Sequence, residues 1–276
     1  MPEGATTGRR YRLALALGTL TLAGLVAAAA LAPWLAPHDP TRQDLAGGLA
    51  PPSVEHPLGQ DKLGRDQLSR IVFGARVSLE VGLTTVSVSL LVGIAIGGLA
   101  GYAGGVVDFW IMRLVDVVMA FPGILLAIAM SAVLGPSLGH VIIALCAIGW
   151  SGYARVVRGE VLRLKERDHV LAARALGAGD GRTLVRHILP LALPPVLVQA
   201  TFGMAAAIVA EASLSFLGLG VQPPTPSWGA MINDARPFLL VAPHLTVYPG
   251  LAIVLTVIGL NFLGDGLRDW LDVRGR

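Results

Sequence analysis

The sequence predicts an all-α, polytopic membrane protein with six transmembrane helices. Three observations carry that prediction. Hydrophobic residues make up 54% of the 276 and charged residues only 14%, whereas a soluble domain carries about a quarter charged residues. The apolar residues gather in six blocks, most of them near the ~20 residues a helix needs to cross a bilayer. No block sustains a period of two. Lipid admits only helices or closed barrels, and barrel strands would show alternating segments of ~10 residues.

The first block runs from Leu13 to Trp34, behind Arg9, Arg10 and Arg12. Its apolar run is longer than the roughly 7–15 residues of a signal peptide core, so it is expected to be a retained anchor. The second runs from Val77 to Tyr102. The third, Val115 to Leu134, contains Phe121-Pro122-Gly123, and the proline predicts a kink. Ahead of it, Arg113 and Asp116 share a helical face and are expected to anchor that end. Glu80 is expected at the interface. The fourth block is Val141 to Val157, the fifth Leu191 to Leu219 and the sixth Leu245 to Leu263. Residues 1–76 are read as a tail, a first span and an outer segment, and 77–276 as a five-helix core.

Lys and Arg orient the spans. With the N-terminus inside, the cytoplasmic pieces hold 15 of the 21 basic residues. They are Arg9, Arg10, Arg12, Arg113, Arg155, Arg158, Arg163, Lys165, Arg167, Arg174, Arg182, Arg186, Arg268, Arg274 and Arg276. Both termini are therefore expected in the cytoplasm. Leu35 to Arg76 and Gly220 to His244 become Pro-rich outer segments. Leu58 to Ser69 reads as an amphipathic interfacial piece or a contact for a partner, and Trp228 as an interface anchor.

Several chemistries are absent. The two lysines, Lys62 and Lys165, sit in no phosphate-binding G-x-x-x-x-G-K-[ST] loop. The histidines show no H-E-x-x-H spacing, and no Cys/His cluster has metal-ligand spacing. Gly177, Gly179 and Gly181 follow no strand, as a dinucleotide fingerprint would require. The basic loop lacks the interleaved aromatics of a nucleic-acid surface. No cofactor or metal is expected on this chain. Gly135-Pro136-Ser137-Leu138-Gly139 matches G-x-S-x-G, with His140 beside it, but a nucleophile elbow needs a strand–turn–helix setting. An intramembrane serine hydrolase built on Ser137 remains a second reading. An ion-driven carrier, which would usually show inverted repeats and midplane charges, remains a third.

The loop at 158–190 is polar and helix-favouring. Asp168 to Leu176 reads as a short helix stopped by Gly177-Ala178-Gly179. Asp180 is expected to cap a second helix that Pro190 ends. Val170, Ala173 and Leu176 share one face, and Ala172, Ala173 and Ala175 keep the helix thin enough for close docking. The other reading is a linker resting on acidic lipid. In the fifth span, Glu211 is an ionisable residue in lipid, which is costly and usually functional. With Ser215 it is expected to face a translocation path or to bond a neighbouring helix.

Ala172-Ala173, then Gly177, then Ile188-Leu189-Pro190 resembles the EAA loop of ABC importer permeases. Leu171 stands where that motif has Glu and His187 where Ile is usual, as in the peptide-permease branch. His56-Pro57-Leu58-Gly59 through Leu63-Gly64-Arg65-Asp66 to Leu68-Ser69-Arg70, and Glu211-Ala212-Ser213-Leu214-Ser215-Phe216-Leu217-Gly218, resemble the dipeptide/oligopeptide/nickel permeases of the C type. The resemblance spans about Trp34 to Trp270. It implies the type I ABC importer permease fold in a prokaryotic inner membrane. It also implies a second homologous permease, two ATPase subunits that hold ATP and Mg, and an extracytoplasmic solute-binding protein delivering small peptides. Leu171, Ala172, Ala173, Arg174, Leu176, Gly177, Ala178, Arg186, His187, Leu189 and Pro190 would then form the ATPase-coupling loop.

Overall fold

Long helices follow from the apolar runs, because in lipid each backbone group must find its partner within its own segment; at 28 to 37 residues most extend beyond the runs themselves. The computed structural model describes the backbone of residues 3–274 and side chains from 12 to 271. The side chains of Arg9, Arg10, Arg274 and Arg276 used in the orientation argument lie outside the described residues. The long helices are α1 (Glu3–Ala30), α3 (Gln67–Ala103), α6 (Leu138–Lys165), α9 (Leu189–Phe216) and α11 (His244–Arg274). Between them lie α2 (Ala32–Leu35), α4 (Gly105–Ala120), α5 (Gly123–Leu134), α7 (Asp168–Ala175), α8 (Asp180–Arg182) and α10 (Trp228–Ala235). Among the described residues five helices are long and apolar enough to cross a membrane, and the bent pair α4 and α5 makes a sixth candidate if the two count as one span.

The break falls where Phe121-Pro122-Gly123 predicts a kink, and it is sharper than a kink. The chain turns by 82° between α4 and α5, because Phe121 and Pro122 both leave the helical backbone region. The boundary drawn at residue 76 also moves, since α3 runs unbroken through it from Gln67. The fourth span extends beyond its apolar core to Lys165.

The centre of the bundle is α3 against α6 and α9. At Gly97 an added Cβ would run into the Ala154 carbonyl of α6, so only glycine permits that approach. Tyr153, Val157, Val161 and Leu164 of α6 pack with Ile188, Ala192 and Val196 in one buried cluster. On the other side α1 lies along α11, and Leu25, Ala29, Ile208, Trp228, Met231 and Leu260 form a second cluster. Arg76 of α3 reaches across to donate to the Ala29 carbonyl at 2.6 Å, satisfying the last turn of α1.

The segment at 56–70 is a packed knot and not a loose interfacial piece. Asp61 accepts from Leu63 N, Arg65 N and Arg65 Nε at 2.6–3.0 Å, and Arg70 Nε lies 3.5 Å away. Lys62 pairs with Asp234 of α10 at 2.7 Å. Asp66 caps α3 by accepting from Ser69 N at 2.8 Å. Trp228 is buried and donates to the Ile71 carbonyl at 2.9 Å, which corrects its reading as an interface anchor. Its ring fills the gap that Gly74 leaves on α3.

Candidate functional site

The loop at 158–190 is an arm with one welded side and one open side. Arg167 precedes α7, and Gly177 follows its C-cap with φ +88°. Gly177 N donates to the Arg174 carbonyl at 2.9 Å and Ala178 N to the Ala173 carbonyl at 3.0 Å. This paired closure is the Schellman stop, which wants glycine in the left-handed position. No atom stands within 4 Å of a Cβ built on Gly177, so its requirement here is backbone conformation rather than crowding. Thr183 Oγ1 then donates to the Gly179 carbonyl at 3.0 Å.

Val170 and Ile188 are fully buried and join the cluster between α6 and α9. Leu171, Ala172, Arg174, Ala175 and Leu176 face out, with Leu176 89% exposed. The expected face of Val170, Ala173 and Leu176 is therefore divided, since α7 ends at Ala175 and the turn swings Leu176 away. Ala173, Ala178, His187 and Leu189 are half-buried, and Arg186 and Pro190 are exposed.

Two expectations about the second half of the loop are corrected. Asp180 makes no side-chain cap; its carboxylate accepts from the Tyr102 hydroxyl at 2.7 Å. Pro190 does not end the helix. Thr183–Ile188 form a stretch of π-helix that leads straight into α9. A proline lacks an N–H and crowds the carbonyl one turn back, and the widened turn makes room for it.

Tyr102, at the end of α3, is the hub of this end. Its hydroxyl also accepts from Arg174 at 3.0 Å, and its carbonyl accepts from Lys165 Nζ at 2.8 Å. The hydrogen bond to Tyr102 raises the Arg174 guanidinium further above its ordinary value, so it stays charged. Asp108 of α4 takes a two-pronged bond from Arg158 of α6. Asp116 accepts from Arg155 at 2.7 Å, and Arg113 stands 3.9 Å from it. The expected Arg113–Asp116 pair is thus present within α4, and the shorter pairs, to Arg155 and Arg158, cross between helices. Sequence spacing sees pairs within one helix, which is why Tyr102, Asp108 and Arg158 were missed.

Glu211 and Ser215 lie 22 residues or more beyond the start of α9, roughly 33 Å up the helix, and are not gathered with the loop. Glu211 is fully buried and accepts from Ser215 Oγ at 2.6 Å. Ser215 Oγ in turn accepts from Val221 N at 3.1 Å, while Glu211 Oε2 is buried without a hydrogen-bond partner. The Glu211–Ser215 bond stays within α9, and the Ser215–Val221 bond ties α9 to the segment leading to α10.

A cavity of ≈ 290 Å³ lies at mid-length between α3, α5, α6 and α9. Its wall is largely small or apolar, including Gly149, Gly152, Gly203 and Ala206, with Gln199 among them. Thr85, Ser89 and Tyr153 also line it, and their hydroxyls have no hydrogen-bond partner. Elsewhere, folding places His38, Glu55 and His56 with ligand atoms within 4.8 Å of one another, although spacing along the chain predicts no metal cluster. Ser137 caps α6 by accepting from His140 N at 3.1 Å, and His140 Nδ1 is held by the Gly135 carbonyl at 2.9 Å. The G-x-S-x-G match is a helix start.

Residues 93–276 match the family model described as binding-protein-dependent transport system inner membrane component. Residues 9–52 match the N-terminal TM domain of oligopeptide transport permease C. The chain is 43% identical over 264 residues to the dipeptide transport system permease protein DppC of Alkalihalophilus pseudofirmus, covering 96% of this chain and 86% of the relative. It is 46% identical over 264 residues to the glutathione transport system permease protein GsiD of Pectobacterium atrosepticum, covering 95% and 87%. The GsiD protein of Escherichia coli O157:H7 is 46% identical over 268 residues, covering 96% and 87%.

Proposed function

The chain belongs to the family of binding-protein-dependent transport system inner membrane components, and we propose that it forms one half of the channel of a small-peptide importer. The family is the permease part of ATP-driven importers, multi-pass in the inner membrane. It is not catalytic, and ATP hydrolysis lies in separate subunits. That sets aside both the serine hydrolase and the ion-driven carrier. Its relatives make this chain a peptide-type permease.

Within that frame, the chain pairs with a second homologous permease, and an extracytoplasmic solute-binding protein delivers the peptide. Two ATPase subunits bind ATP and Mg on the cytoplasmic side, where both termini lie, and this chain binds neither. The 158–190 loop docks in a groove on one ATPase through the outward face of α7 and the turn after it. One observation carries this reading. Val170 fixes α7 to the bundle while Leu171 and Leu176 stand exposed on its other side. A large apolar side chain 89% exposed on a rigid arm is suited to a partner's pocket.

ATP binding closes the ATPase pair and draws the docked arms together. The shift is driven by the tighter binding of ATP to the closed state. Because Ile188 ties the arm to α6 and α9, the displacement passes into the walls of the ≈ 290 Å³ cavity, past which the peptide moves. The test is ATPase activity of the reconstituted complex with and without liganded binding protein. Gly177→Asp and Leu176→Asp are expected to abolish the stimulation while leaving basal hydrolysis in place. Stimulation unchanged in both variants would overturn the docking assignment. Uptake of labelled dipeptide against labelled glutathione by the same proteoliposomes decides the ligand. Cysteine labelling at positions 176 and 234 from either side of the membrane checks the orientation.

A further inference from the structure

Two histidines 18 positions apart meet above the start of α3. His38 follows the Pro-rich turn after α2, and its backbone N donates to Ser69 Oγ at 3.1 Å. His56 closes a turn with Ser53, whose hydroxyl accepts from His56 N at 3.0 Å. The two rings stack with centroids 4.5 Å apart. Beneath them lies Asp66, the N-cap of α3.

The hydrogen bonds of Asp66 fix the tautomer of His56. Its Oδ2 is taken by Ser69 N and Ser69 Oγ at 2.8 and 2.6 Å. Its Oδ1 lies 2.9 Å from His56 Nδ1. An ionised carboxylate only accepts, so His56 Nδ1 is the donor, and in the neutral ring that leaves the Nε2 lone pair for a ligand. This is the arrangement in which an outer carboxylate orients a metal-binding imidazole. His38 Nδ1 is buried without a hydrogen-bond partner, 3.8 Å from the same Oδ1. One ring nitrogen of each histidine and one oxygen of Glu55 lie within 4.8 Å of one another. Glu55 is exposed, so its side chain is free to close the remaining distance to bonds of ~2.0–2.2 Å.

We propose that His38, His56 and Glu55 bind a divalent transition-metal ion of the zinc class, with Asp66 positioning His56. The donor set selects that class. Two imidazoles and one carboxylate suit zinc or nickel, while calcium and magnesium require oxygen cages. Three protein ligands leave a fourth place for water or a partner's donor. The ion ties the stretch after α2 and the 53–56 turn to the N-terminus of α3, adding to the contacts of Asp66 and Ser69 and to the Arg70 bond to the Pro40 carbonyl.

The site is tested without reference to transport. The full permease complex, purified in detergent through a tag free of histidine and stripped with chelator, is titrated with Co²⁺, read by its visible absorption, and then with Zn²⁺ in competition. The expected result is one ion per copy of this chain with micromolar or tighter affinity. Glu55→Ala and His38→Ala each weaken it at least tenfold, and Asp66→Asn weakens it by about 10–100-fold. Glu55 is exposed, so its variant keeps the fold. Absence of stoichiometric binding by the wild type overturns the proposal. So does a Glu55→Ala, His38→Ala double variant that binds as tightly as wild type, because the ion then sits on other histidines such as His140 or His244.

Discussion

At one end of α3, the knot around Asp61 buries its charges and pairs them. At the other end, the arm around Gly177 leaves most of its side chains facing out. Arg65 is 4% exposed and Asp61 10% at the side chain, against 89% for Leu176. The knot closes on itself within one chain, since Asp61 collects three donors and Asp234 holds Lys62, with Arg70 Nε alone of its guanidinium nitrogens buried without a hydrogen bond. The arm is complete only on its bundle side, where Val170 and Ile188 are buried. A finished network resists displacement, whereas an open face invites a partner. One helix thus connects a fixed end to a recruiting end.

The comparison breaks most readily at the knot. Asp61→Ala strands Arg70 as a buried charge and leaves Arg65 with Asp234 alone at 3.5 Å, and losing one partner of a buried pair costs about 3–5 kcal/mol. A thermal melt of the purified complex is expected to fall by several degrees. A melt unchanged from wild type would show that the knot is not the fixed end. Val170→Ala removes roughly two buried methylenes' worth of packing, about 2 kcal/mol, and loosens the arm from the bundle. It is expected to lower both the melt and the stimulated ATPase rate, in contrast to Asp61→Ala, which acts on the melt first.

Gly177→Ala forces a side chain into the left-handed region and costs about 1–2 kcal/mol. Since a Cβ there meets nothing, the strain falls on the Schellman stop alone. Stimulated hydrolysis is expected to drop severalfold while Gly179→Ala, whose backbone is ordinary, does not. Leu176→Asn changes stability by no more than about 0.5 kcal/mol, as expected for an exposed residue, yet should reduce stimulation at least tenfold. Glu211→Gln gives the smallest effect. The amide still accepts from Ser215, so peptide uptake in proteoliposomes should stay within threefold of wild type. A larger loss would move Glu211 from a bond within α9 to the peptide's path.

Much of this was legible in the sequence because long-range order in a membrane helix is local chemistry. Six apolar blocks gave the spans, and Gly177-Ala178-Gly179 gave the stop after α7. What escaped notice depends on neighbours that spacing along one chain does not report. The partner of Asp108 is Arg158, 50 positions away. The partner of Asp180 is Tyr102. Pro190 reads as a helix end, since the π-helical turn that accommodates it has no residue signature of its own. Trp228 looks like an interface anchor by composition, and only the gap at Gly74 of a distant helix makes it a buried plug. The ends of α7 were readable, but not which of its faces the bundle would take.

The pairing of α1 with α11 carries a consequence in time. Ala30 ends the first helix and His244 begins the last, 214 positions later in the chain. At ~5–20 residues per second of synthesis, the gap lasts on the order of 10–40 s. For that interval α1 sits in the bilayer with the surface around Gly18 and Leu25 uncovered, close-fitting ground later occupied by Leu263 and Leu260. Arg76, whose guanidinium bonds the Ala29 carbonyl, emerges early in that interval and gives the waiting helix its first hold.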